Sequence, residues 1–187
     1  INWSRVGAAI ACVPKNVGHA GLTLTIVRED LLKLDNLPQR VTPGILNWRL
    51  NDEFGGMWNT PPAFNVYTTS LVFRWIESQG GVPEMERRAM LKSRAIYRAI
   101  DNSNGFYSTP VKASTGARSR MNVPLKIMGG DEGLTRAFLE GASLRGMTGF
   151  RTNTPFGFGP YLRASLYNTI TVDQAEMLGR YMEEFAQ

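Results

Sequence analysis

Val13-Pro14-Lys15-Asn16-Val17-Gly18-His19-Ala20-Gly21 separates two runs of quite different character. Residues 6–12 before it are small and apolar, and Leu22-Thr23-Leu24-Thr25-Ile26-Val27 after it is rich in β-branched side chains. Both flanks predict strands, because β-branched residues suit a pleated surface and each run is strand length. The quoted stretch carries Pro14, Gly18 and Gly21, which punctuate regular structure. One lysine therefore stands in a tight connection between two apolar strands. In that setting Lys15 is expected to be held away from water, its amine free to act as a nucleophile or Schiff-base former. A solvated loop charge is the ordinary alternative.

Downstream, Pro38, Pro43, Gly44, Gly55 and Gly56 make residues 33–58 read as a long irregular stretch on the surface or lining a site. A helix is predicted over 62–78, opened by Pro61-Pro62 and ended by Gly80-Gly81, with Phe64, Tyr67, Leu71, Trp75 and Ile76 on one stripe. A second helix over 83–100 alternates Met85, Leu91, Ile96, Ala99 and Ile100 with basic residues, and Asp101-Asn102-Ser103-Asn104-Gly105 stops it by turn chemistry. The remainder reads as strand 120–127, helix 133–144, strand 162–168 and helix 172–185, with Thr171 and Gln174 forming a capping box for the last helix. The fold class is α/β, and the two late strands are placed in one sheet.

The chain has 187 residues, 43% hydrophobic and 20% charged, a balance that excludes disorder and collagen-like structure. No apolar run is long enough to cross a membrane. Ile1-Asn2-Trp3-Ser4-Arg5 does not resemble a signal peptide and reads as a point inside a longer sequence. A single cysteine and a single histidine, Cys12 and His19, exclude both a disulfide framework and a Cys/His zinc cluster within this stretch. Cys12 is expected to pack as a small buried hydrophobe in a reducing compartment. The formal charge of +5 is dispersed along the chain. That speaks against a nucleic-acid surface and for arginines aimed at small anions.

Two further constellations fit anion binding. In Gly55-Gly56-Met57-Trp58-Asn59-Thr60-Pro61-Pro62, the carboxamide of Asn59 and the hydroxyl of Thr60 stand just before a helix N-terminus, where unpaired amides and the dipole favour phosphate. A plain N-cap is the alternative. Arg118, Arg120, Arg151 and Arg163 lie at strand edges, and Arg163 starts an otherwise apolar strand. Guanidinium forks match carboxylate and phosphate, whether of a substrate or of a structural ion pair.

Together Lys15-Asn16-Val17-Gly18, Ala20-Gly21-Leu22, Ile26-Val27-Arg28-Glu29-Asp30-Leu31-Leu32, Met57-Trp58-Asn59-Thr60-Pro61-Pro62, Gly80-Gly81-Val82, Ser119-Arg120-Met121-Asn122-Val123-Pro124 and Arg163-Ala164-Ser165-Leu166-Tyr167-Asn168 carry a resemblance. In order and spacing they resemble the phosphoserine aminotransferase family, in the class V branch of fold-type I, pyridoxal-phosphate-dependent transaminases. The resemblance spans the chain and implies the C-terminal half of a family member, with residues 1–80 ending the large cofactor domain and 81–187 forming a small α/β domain. It makes Lys15 the Schiff-base lysine for pyridoxal 5'-phosphate and the proton shuttle. Asn59 and Thr60 would bind the cofactor phosphate from the neighbouring subunit of a homodimer, whose active sites lie at the subunit interface. Arg163 would pair with the substrate α-carboxylate, and Arg151 would lie near the substrate's phosphate or side-chain carboxylate. The implied reaction, in serine biosynthesis, interconverts 3-phosphohydroxypyruvate plus L-glutamate with O-phospho-L-serine plus 2-oxoglutarate. It implies phospho-amino-acid and dicarboxylate substrates, no metal, no nucleic acid, no membrane and a cytoplasmic or organellar site.

The sequence departs from the family at Pro14, where a glutamine is usual, and at Phe150, which replaces the histidine of Gly-His-Arg. Residues 152–162 form a longer, Gly-, Pro- and aromatic-rich connection expected at the substrate mouth. His19 stands where the family commonly has proline, but the lysine is the base in this chemistry. Three other readings stay open: a catalytically silent fragment or partner subunit, a related class V aminotransferase with altered substrate, and a small anion- or nucleic-acid-binding module.

Overall fold

The two runs flanking the lysine stretch pair with each other. In this computed structural model, which describes residues 1–33, 42–150 and 161–187, β1 (Ala8–Cys12) and β2 (Thr23–Val27) form an antiparallel hairpin in the register Ala8↔Val27 to Cys12↔Thr23. Short helices α1 (Glu29–Leu32) and α2 (Trp48–Glu53) follow. The helix α2 falls inside the stretch expected to be irregular; Asn47 starts it by accepting from Leu50 N at 3.1 Å. Helix α3 (Ala63–Ser78) comes next, then α4 (Gly81–Asp101), with Gly80 and Gly81 between their bodies at φ 106° and 73°. A positive φ at two successive residues breaks the helix at small cost only for glycine.

The chain divides into two compact units, Ile1–Ile76 and Glu77–Gln187. In the second, β3 (Tyr107–Ser108), β4 (Asn122–Ile127) and β5 (Leu162–Ser165) make one antiparallel sheet in that order. The pairing of β4 with β5, Asn122↔Ser165 through Leu125↔Leu162, is the shared sheet expected of the two late strands. At two residues, β3 is too short to leave a pattern in the sequence. It pairs only with Lys126 and Ile127, so β4 is an open edge on that side at Pro124, where a strand tolerates proline.

Val123, Leu125 and Ile127 alternate inward along β4 and meet Leu162 and Ala164 of β5. Helix α5 (Glu132–Leu144) and helix α6 (Val172–Phe185) supply Phe138, Ala142, Leu178, Tyr181 and Met182 to the same core. Phe138 is its hub, with ring centroids of Tyr181 at 4.9 Å, Phe185 at 5.3 Å, Phe150 at 6.0 Å and Tyr107 at 6.3 Å. The capping box of α6 is present as read: Thr171 Oγ1 accepts from Gln174 N at 3.2 Å, and Gln174 Oε1 accepts from Thr171 N at 2.9 Å.

The first unit is built differently. Among its described residues only Val13 and Thr69 are buried. The stripe read on α3 faces outward: Phe64, Tyr67, Leu71 and Trp75 are exposed, as are Ile10 and Ile26 on the hairpin. Cys12 is exposed too, contrary to the small buried role expected of it, because both faces of β1 lie open apart from Ala9. Val13 and Thr69 meet at Gly18, where a Cβ would stand 2.5 Å from Thr69 Oγ1 and 2.7 Å from Val13 Cγ1. Thr69 Oγ1 itself is buried without a hydrogen-bond partner.

These observations set a pair of opposite expectations for two substitutions. Gly18→Ala crowds two stiff β-branched side chains and is expected to cost about 1–3 kcal/mol. Thr69→Val removes an unpaired buried hydroxyl at constant shape and is expected to leave stability unchanged or raise it by about 1 kcal/mol. All four tryptophans, Trp3, Trp48, Trp58 and Trp75, lie in the first unit. Urea unfolding followed by tryptophan fluorescence therefore reads this unit alone. A Thr69→Val variant clearly less stable than the native chain would contradict the account.

Candidate active site

Lys15 stands three residues past the end of β1 and two past the buried Val13. The base of its loop is closed by Val13 N donating to Leu22 O at 3.2 Å, and its first turn by Lys15 N and Val17 N donating to Val13 O at 2.8 Å and 3.3 Å. Helix α3 holds the loop from outside. Asn65 Nδ2 donates to Ala20 O at 2.5 Å, Gly18 seats on Thr69, and the His19 ring stacks on Phe64 at 5.9 Å. His19 thus has a packing partner in Phe64. The Lys15 side chain differs from expectation: it is exposed, because the described residues near it form a turn and not an enclosing pocket. It carries no ion pair or side-chain hydrogen bond among the described residues. Pro14 beside it is also exposed.

Asn59 and Thr60 lie ahead of α3 on exposed backbone. The segment before them is anchored by the Trp58 ring, which lies so close on Gly44 that a Cβ there would be 2.5 Å from the indole. Asn59 Oδ1 accepts from Thr60 N at 2.9 Å. The helix starts at Ala63, so neither residue is its N-cap. Asn59 Nδ2 and Thr60 Oγ1 remain as donors without partners among the described residues.

The arginines separate into two kinds. Arg118 forks onto Asp101 at 2.6 Å and 2.7 Å and lies over the Tyr97 ring at 4.4 Å, and it holds the Asp101 carboxyl below the usual carboxylate range. Arg120 pairs with Glu86. Arg87 and Arg88 share Glu84, which they hold down at about 2. For these residues the structural ion pair is the answer, and the general assignment of the arginine excess to small anions is too broad. Arg163 is exposed on β5 between buried Leu162 and Ala164 and has no ion pair among the described residues. It lines a cavity of about 390 Å³ with Ser165, Thr169, Gln174, Met147 and Phe150. Arg151 and most of the long connection, residues 151–160, lie outside the described residues. Phe150 is 8% exposed and packs edge-on against Phe138; where the resemblance puts an anion-binding histidine, this chain has a core side chain.

Sequence reading missed Lys92. It is 2% exposed, and its ammonium donates to the carbonyls of Leu166 and Tyr167 at 2.9 Å and Ile170 at 3.0 Å, pinning the segment that leaves β5 and walls the cavity. Burial first, and the Arg88 guanidinium second, push Lys92 below its ordinary value, while the three carbonyls favour the charged form. The signal was a lysine at helical spacing between buried Ala89 and Ala99 on the apolar face of α4. Lys92→Met strips three carbonyls of their donor and is expected to cost at least about 2 kcal/mol, read by urea unfolding followed by far-ultraviolet circular dichroism. Unchanged stability would show that the carbonyls find other partners.

A family model, Aminotransferase class-V, matches residues 1–178. The chain is 42% identical over 185 residues to the phosphoserine aminotransferase of Pseudomonas paraeruginosa, covering 99% of this chain and 48% of that protein. It is 41% identical over 184 residues to the phosphoserine aminotransferase of Drosophila melanogaster, again covering 48% of the relative. The solved phosphoserine aminotransferase of Bacillus circulans subsp. alkalophilus superposes on the whole chain with a TM-score of 0.86 at 32% identity, over 49% of that structure. The pyridoxal-phosphate-bound phosphoserine aminotransferase of Trichomonas vaginalis gives 0.84 at 30% identity, covering 98% of this chain and 49% of that structure. The chain thus spans about half the length of the relatives it matches. With the expected α/β elements in place and the match running nearly end to end, the chain belongs to the class V aminotransferase family.

Proposed function

We propose that this chain is the lysine-bearing half of a phosphoserine aminotransferase. It would interconvert 3-phosphohydroxypyruvate plus L-glutamate with O-phospho-L-serine plus 2-oxoglutarate, with pyridoxal 5'-phosphate as cofactor, in a cytoplasmic homodimer. The observation that carries the reading is Lys15: an exposed amine, unpaired among the described residues, on a loop anchored at its base and on α3, in a chain 42% identical over 185 residues to a phosphoserine aminotransferase.

The donor set fits the cofactor. An unpaired primary amine suits an aldehyde, and the Asn59 carboxamide and Thr60 hydroxyl ahead of a helix suit a phosphate. When bound, pyridoxal phosphate supplies an electron sink for negative charge at the substrate α-carbon. The chain's own residues do the rest. Lys15 Nζ would hold the cofactor through its aldehyde carbon, and the same amine would move the proton between the substrate α-carbon and the cofactor's C4′. The Arg163 guanidinium fixes the α-carboxylate by a forked pair of hydrogen bonds. Asn59 and Thr60 serve the cofactor phosphate of the neighbouring subunit, and Arg151 serves the substrate's second anion. The ion pairs of Arg118 and Arg120 support assigning the carboxylate to Arg163, which has none among the described residues.

A second reading has its own observation. With only Val13 and Thr69 buried among the described residues of the first unit and a broad apolar surface exposed, this chain alone is a silent partner that acts once that surface is covered. Titration of the purified chain with pyridoxal phosphate separates the two. The first reading expects a visible absorption band, abolished in Lys15→Ala. No Lys15-dependent band would leave the silent-partner reading standing.

A further inference from the structure

The loop that carries Lys15 touches α3 at three successive residues, and only one of the contacts is directional. Gly18 seats on Thr69 by shape, and His19 stacks loosely on Phe64 at 5.9 Å. Asn65 instead donates from Nδ2 to Ala20 O at 2.5 Å, a bond that spans 45 positions of sequence. The next residue, Gly21, has φ +102°, and a Cβ there would stand 3.2 Å from the same Nδ2. The Asn65 amide therefore lies against the Ala20–Gly21 peptide, where the loop turns back into β2. The far side of the loop, at Val13, is closed by backbone alone. We infer that Asn65 is a positioning residue for Lys15: its hydrogen bond to Ala20 fixes the returning limb, so that the Lys15 amine is presented in one place.

The inference rests on Lys15 being the amine that takes the cofactor aldehyde. A tethered amine reacts faster than a free one because its orientation is already restricted. Freeing the returning limb leaves only the non-directional Gly18 seat and the loose His19 stack against α3, and the amine then samples a wider volume. Among the described residues, the other two surface lysines that can serve as internal references are Lys33 and Lys112, both exposed; neither lies on this loop.

The test uses the chain itself, with pyridoxal phosphate as probe. Native, Asn65→Ala, Asn65→Asp and Ser70→Ala chains are incubated with pyridoxal phosphate, reduced with borohydride and digested. Modification at each lysine is then quantified by mass spectrometry. Ser70 lies on the same helix, but its hydroxyl donates within the helix, to Tyr67 O at 2.7 Å. Asn65→Asp keeps the shape and loses the donor. Lys15 is expected to be the dominant site in the native and Ser70→Ala chains. In both Asn65 variants its labelling falls about three- to tenfold, the scale of one neutral hydrogen bond, while Lys33 and Lys112 are unchanged. Tryptophan fluorescence checks that each variant is folded, and Asn65→Asp carries the test if Asn65→Ala is not. Selective labelling of Lys15 that survives in Asn65→Asp overturns this inference and leaves the cofactor reading intact. Labelling of Lys15 no greater than that of Lys33 in the native chain overturns both.

Discussion

Gly18 lies where a side chain would collide with Val13 on one side and Thr69 on the other. These are the two buried side chains in the described part of the first unit, and their contact is the one that brings the lysine loop onto α3. Everything assigned to Lys15 depends on that closeness. The loop has no regular ladder of its own beyond the bond at its base, and a ten-residue excursion closed only there would wander. Thr69 illustrates what the closeness costs, since its hydroxyl is sealed under Gly18 without a partner. The unit accepts an unsatisfied group of the kind that folded proteins mostly avoid.

The second unit rests on different physics. An aromatic cluster around Phe138, the inward face of β4 and three helices form a continuous core. Lys92 is the exception within it, a buried ammonium with three carbonyls and no carboxylate. Its bonds tie the chain just past β5 to α4, and so shape the wall beside Arg163. One unit is thus organised around a single point of contact and the other around a filled interior. The contrast accords with a family in which the relatives are about twice as long as this chain.

Much of this was legible in the sequence. The β-branched run 22–27, the small run before it and the Thr171–Gln174 box each became the element expected, because local preference and long-range packing agree there. Burial in the first unit was not legible. The helical spacing of Phe64, Tyr67, Leu71 and Trp75 describes a face and does not say whether anything covers it. The exposure of Lys15 and Cys12 follows from the same lack of cover. At the candidate site, residue types singled out Lys15, Asn59, Thr60 and Arg163 as candidates, but only the fold separates the paired Arg118 and Arg120 from Arg163, which has no ion pair among the described residues. Asn65 and Thr69 gave no signal, since their partners are about 50 residues away along the chain and no local pattern encodes such a contact.

Hydrogen exchange at the amides of Val13, Lys15 and Val17 tests most directly whether the lysine loop is held in place. All three donate backbone hydrogen bonds in the structure. The account expects each to exchange at least about tenfold more slowly than in an unstructured peptide, with the protection lost together in Gly18→Ala. Exchange of all three at peptide rates, while the amides of β4 in the second unit stay protected, would contradict it.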